Sequence, residues 1–287
     1  MASITESSLL SKLQSSDSTG IFTQVYDYLR PLADLSQNNN SSKSKPDQTL
    51  IRSLAKRFLP FLNTSLSLLP KHLTHISKSS SSSSDAGVLE LFQVYKLCLD
   101  CLDSVVSQLE SKPFSVEFLR VRMMQCLEAC GRVDDAEAEG LRILEKLRST
   151  SKSTKRKAKI LPEVDKGGIA DKDKELCLLV VQIVVALVRC AAVGTSNEYG
   201  RFRRVLDLVE EVRPWLRGLD SSSYEKQHQA LVINLGKCAL SLLGKIACSD
   251  KDLVILFCHV TLTEYVKSPV KDQVYKVTRF LCFGYKL

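Results

Sequence analysis

Apolar residues recur at three- and four-residue spacing along almost the whole chain, and no two-residue alternation persists. That spacing is the signature of amphipathic helices rather than strands. It is clearest in "GVLELFQVYKLCLDCLDSVVSQLES" (87–111), where Leu91, Val94, Tyr95, Cys98, Leu102, Val105 and Leu109 share one stripe and Pro113 follows as a stop. The next run, "FSVEFLRVRMMQCLEAC" (114–130), closes on Gly131, a residue suited to the left-handed cap that ends helices. Asp134 then offers an N-cap, and Glu137, three residues on, completes a capping box for a second helix. That helix carries Ala136, Gly140, Leu144 and Leu147 on one face. Gly131, Ala136, Gly140 and Leu144 are therefore the expected packing seam of a tight hairpin.

The same period predicts helices at 4–16, 19–35 and 48–69, with Pro60 breaking or kinking the third. Beyond residue 173 it predicts five more, at 174–193, 199–217, 222–244, 250–267 and 270–283. Three stretches interrupt the pattern. "SQNNNSSKSKPD" (36–47) is a polar linker, "SKSSSSSSD" (77–85) a Ser-rich loop open to modification, and 149–173 a basic, Gly-bearing flexible insertion. The expected organisation is N-terminal helices over 1–76, the loop at 77–85, a hairpin unit over 86–148, the insertion, and a helical array over 174–287. The ending "VTRFLCFGYKL" lacks a polar cap, so that array is expected to be truncated. "CGRVDDA" is echoed by "YGRFRRV" (199–205), with the two glycines 69 residues apart. That is near twice the ~34-residue period of tetratricopeptide-like hairpins. Short connections between many helices predict an all-α fold, an irregular α-solenoid of antiparallel hairpins with flexible loops.

Composition refines this picture. The 287 residues are 44% apolar, enough for a sizeable core, and twelve Gly with eight Pro are too few for a turn-rich β architecture. A net charge of +8 suggests nucleic acid until it is located. Five of the cations lie in 152–159 with no acid among them, which leaves the rest nearly balanced. Direct nucleic-acid binding is not expected. Within that run Lys155, Arg156, Lys157 and Lys159 form a candidate nuclear-import epitope.

The N-terminus has no basic start and no long apolar segment of a signal peptide. Most of the ten cysteines sit inside apolar helical runs, so they read as reduced core residues of an intracellular protein. "LCLLVVQIVVALVRCAAV" (176–193) approaches the length of a membrane span, yet Gln182 and Arg189 interrupt it. A helix buried within the array is the expected outcome.

Catalysis finds no seat in these residues. Cys98, Cys101, Cys126 and Cys130 could supply four thiolates to zinc, but structural zinc ligands sit on knuckles and turns, whereas these lie within helices. "HLTH" (72–75) lacks the glutamate of a zinc protease helix. Cys258 and His259 are sequence neighbours, so on a helix they point apart. No catalytic residue, cofactor or metal is expected.

"TGIFTQVYDYLRPLADL" (19–35), "CLEACGRVDDAEAEGLRILEKLR" (126–148) and "YGRFRRVLDLVEEVRPWLRGLDSSSYEKQHQALVINLGKC" (199–238) resemble the N-terminal helical region of plant separases. Separases are large cysteine endopeptidases that open cohesin rings at anaphase. Their protease domain is C-terminal, and their N-terminal solenoid contacts the inhibitory chaperone securin. The resemblance implies a non-catalytic binding region with a securin-like partner, in nucleus and cytoplasm. The family's catalytic His and Cys motifs have no matching positions here. The alternatives are an unrelated tetratricopeptide-like adaptor, an enzyme with an unrecognised site, and a helical protein tethered through 176–193.

Overall fold

A computed structural model of the chain describes residues 5–15, 20–41, 48–76, 82–106, 114–150, 171–193, 199–216, 219, 221–245, 259–264 and 267. Nine helices carry most of these residues. They are α1 (Glu6–Gln14), α2 (Ile21–Ser41), α3 (Gln48–Ile76), α4 (Ser82–Val106), α5 (Ser115–Ala129), α6 (Val133–Thr150), α7 (Asp171–Val193), α8 (Tyr199–Leu216) and α9 (Ser221–Lys245). A further helical segment covers 259–264, and no strand occurs among the described residues. The chain divides into two compact units, Met1–Arg132 and Val133–Leu287.

In the first unit each helix buries one stripe. Leu9 and Leu13 of α1, Val25, Leu29 and Leu32 of α2, and Phe61, Leu62 and Leu69 of α3 are fully covered. α1 packs on α2 and α3, α2 on α4, α3 on α4 and α5, and α4 on α5. Every close pair is thus one or two places apart in chain order. The result is two layers, α1–α3–α5 and α2–α4. Side chains tie the layers together. Tyr28 of α2 stands tilted against Phe58 and Phe61 of α3, its ring 5.3 and 4.6 Å from theirs. The Tyr95 hydroxyl of α4 donates to Ser65 Oγ of α3 at 2.8 Å.

The second unit is arranged around α7, which packs on α6, α8 and α9, while α8 also meets α9. Leu179–Val181 and Ile183–Val188 of α7 are all buried. The stretch Asp173–Val193 is long and apolar enough to cross a membrane by length and composition. Its apolar residues are covered by neighbouring helices, as expected for a core helix; only Val193, at its end, is strongly exposed (63%).

Three boundaries differ from the sequence expectation. α3 runs unbroken through Pro60 and Pro70. An internal proline costs about 3 kcal/mol, and each buried large apolar side chain returns about 1.5–3 kcal/mol. Phe58, Phe61 and Leu62, flanking Pro60, are all buried, so packing outweighs the lost bond. α2 continues to Ser41, into the expected linker, because Ser36 to Ser41 contain no Gly or Pro to stop a helix already anchored by Leu29 and Leu32. α4 begins at Ser82, inside the Ser-rich stretch. Residues 42–47 of the linker, 77–81 of the Ser-rich loop and the helix expected at 270–283 lie outside the described residues.

The stop at Gly131 takes the expected form. Its φ is +80°, its N–H donates to the Glu128 carbonyl at 3.0 Å, and the Arg132 N–H donates to the Leu127 carbonyl at 2.9 Å. These two bonds define a Schellman cap. A side chain at Gly131 must adopt a left-handed conformation, whereas Gly87 in α4 is helical with open space around a new Cβ. Gly131→Ala should therefore lower stability by about 1 kcal/mol, and Gly87→Ala should raise it by roughly 0.5–1 kcal/mol. Urea denaturation of the two variants measures both signs.

Candidate interaction scaffold

The chemistry-bearing residues of the first unit are absorbed by its core. Cys98 is buried on α4 with its thiol 3.6 Å from the Leu29 carbonyl, and Cys126 on α5 donates to the Leu66 carbonyl at 3.3 Å. Cys130 turns back to the Leu127 carbonyl at 3.1 Å. Burial raises the Cys98 and Cys101 thiols above their usual range and pushes Cys126 up to about 12. These groups stay protonated and unreactive at neutral pH. Cys177 on α7 behaves likewise, raised by burial to about 12. No group of three metal-ligating side chains forms among the described residues. His72, the first residue of the "HLTH" stretch, is buried with Nε2 2.8 Å from the Leu13 carbonyl, so it joins α3 to α1.

Three buried charge nodes hold helices in register, and the sequence alone did not reveal them. Arg120 of α5 is 2% exposed and places Nη2 2.6 Å from Asp100 and 3.6 Å from Asp103, both on α4. Arg201 of α8 pairs with Asp134 and Glu137 of α6, and Arg204 reaches Glu137 at 3.3 Å. Burial alone would weaken the Arg201 charge. The two carboxylates reverse this and hold its pKa above the ordinary arginine value. The third node is Glu264. It accepts a hydrogen bond from His228 Nε2 of α9 at 2.8 Å and lies 2.7 Å from Arg213 Nε of α8. Burial raises its carboxyl pKa, but the His228 hydrogen bond and the Arg213 charge outweigh that and leave it below the usual value. Tyr224 stacks on His228 with ring centroids 5.2 Å apart. Glu264 thereby fastens the 259–264 segment to α8 and α9.

The second node corrects the expected capping box. α6 already begins at Val133, so Asp134 lies inside the helix, and it and Glu137 face α8 rather than the helix's own backbone. Positions three apart share a helical face, so the same spacing serves either purpose. The echo between "CGRVDDA" and "YGRFRRV" brings Asp134 of the first motif to Arg201 of the second, while Glu137, which pairs with both Arg201 and Arg204, lies just beyond the first motif. Of the expected seam, Ala136, Gly140 and Leu144 are buried and Gly131 is an exposed cap. Within its own unit α6 packs on α7. Lys155, Arg156, Lys157 and Lys159 lie outside the described residues.

Helices that pack on their first and second neighbours, with buried thiols and internally paired charges, define a helical-repeat protein whose outer faces are left for recognition. A family model for separase-like TPR repeats matches residues 6–284, and the chain belongs to that family. No curated protein and no solved structure matches it.

Glu137 is only 10% exposed and serves two arginines, whereas Asp134 is 83% exposed. Glu137→Ala should cost about 3 kcal/mol, because it leaves the buried Arg201 with only the exposed Asp134, and Asp134→Ala less than about 1 kcal/mol. Equal losses in chemical denaturation would contradict this division. Brief maleimide treatment followed by peptide mapping should leave Cys98 and Cys126 unmodified in the native protein and alkylate both in urea.

Proposed function

We propose that this chain is a non-catalytic, protein-binding helical region of a separase, and that it holds a securin-like inhibitory partner along its outer helical faces. The observation that carries this role is the family match across residues 6–284. Packing supports it, since thiols that could serve as nucleophiles are buried and protonated while the charges that organise the helices face inward. A helical array of this kind contributes surface, not a reacting group. The chain would act in chromosome segregation, in nucleus and cytoplasm. The run Lys155, Arg156, Lys157, Lys159 would serve nuclear import, being a dense cationic segment of the kind that acidic grooves on a carrier read.

A pull-down of a securin-like partner by the purified chain tests the role. Binding should persist at about 0.5 M salt, where exposed charge pairs are screened. Absence of binding at both low and high salt would contradict the proposal. The chain should leave a cohesin-kleisin fragment intact, and cysteine-dependent cleavage would overturn its non-catalytic character.

A further inference from the structure

Pro31 lies inside α2, and Pro60 and Pro70 lie inside α3. Each lacks an N–H, so the carbonyl four residues earlier loses its ordinary helical donor. For Pro31 and Pro60 that carbonyl belongs to Asp27 and Lys56, both exposed residues that water can serve. For Pro70 it belongs to Leu66, which is 1% exposed. A carbonyl buried there without a donor is costly. The Cys126 thiol of α5, itself fully buried, donates to that oxygen at 3.3 Å. Burial also keeps the thiol protonated, as a donor must be. Two residues past the gap, His72 Nε2 donates to the Leu13 carbonyl of α1 at 2.8 Å. The end of α3 is therefore tied to α5 just before Pro70 and to α1 just after it.

We infer that Cys126 is a latch: its thiol stands in for the N–H that Pro70 lacks and holds the end of α3 closed on α5. Cys126 packs as a small apolar residue would, but only a donor can also close the Leu66 carbonyl. A thiol is a weaker donor than the amide it replaces, so the buried ladder of α3 is weakest at this point. Release there frees 71–76 together with α1, which His72 ties to that turn. α2 and α4 keep their own contacts with each other, and α4 keeps α5. The latch thereby defines a local opening unit within the first unit, made of α1 and the last turn of α3. This conformational role is separate from partner binding and does not rest on it.

A double-mutant cycle on the full chain tests the latch. In a Pro70→Ala background the new N–H takes the Leu66 carbonyl, so the thiol is no longer needed there. Cys126→Ala should lower the folding equilibrium constant about fivefold more in the native background than in Pro70→Ala. Equal losses in the two backgrounds would reduce Cys126 to packing and overturn the inference. Hydrogen–deuterium exchange of Cys126→Ala reads the opening unit. Exchange should rise about tenfold in 71–76 and α1 and less than about twofold in α2 and α4; an even rise over all four would contradict the latch. A third measurement needs no cysteine variant. Raman spectra of the native and Pro70→Ala proteins should differ by one S–H stretch moved to higher frequency, because the Cys126 thiol loses its acceptor. An unchanged S–H band would overturn the inference even if Cys126→Ala fails to fold.

Discussion

Each helix buries its apolar stripe against the helices one and two places along the chain, and everything else depends on this local covering. A single helix of twenty residues cannot hide such a stripe from water. In the first unit α3 is covered by α1, α4 and α5; in the second, α7 is covered by α6, α8 and α9. Within each unit the close helix pairs stay local in sequence, which leaves the outward arc of a helix such as α3 to solvent.

Within that frame polar groups do two separate jobs. Buried charges set register. Arg120 and Arg201 each pair with two carboxylates on another helix, and Glu264 lies between Arg213 of α8 and His228 of α9, where an aliphatic side chain would allow sliding. The thiols do the reverse. Cys98, Cys126 and Cys177 behave as small apolar residues whose burial removes their nucleophilicity. On α3 the exposed charge is basic, from Arg52, Lys56, Arg57 and Lys71, with no acid in that helix.

Much of this was legible in the sequence. The three-four periodicity located the helices, Gly131 located a cap that is present as a Schellman motif, and three stretches of helical sequence pointed to the family that residues 6–284 match. The misreadings share one cause. Pro60 and the polar run after Leu35 are judged locally as breaks, while the structure weighs them against distant burial. Asp134 and Glu137 satisfy a local capping rule, yet their partners are Arg201 and Arg204, which no spacing rule connects to them. Likewise nothing in the order of residues places His228 and Arg213 on either side of Glu264. Local rules locate helices; tertiary charge pairing is visible only once the helices are packed.

The central claim is that outward helical faces bind a protein partner while the interior holds the array together. Hydrogen–deuterium exchange of the chain alone and with a securin-like partner addresses it directly. Protection spread over consecutive helices is the predicted result. Unchanged exchange along the whole chain with partner in excess would contradict the account.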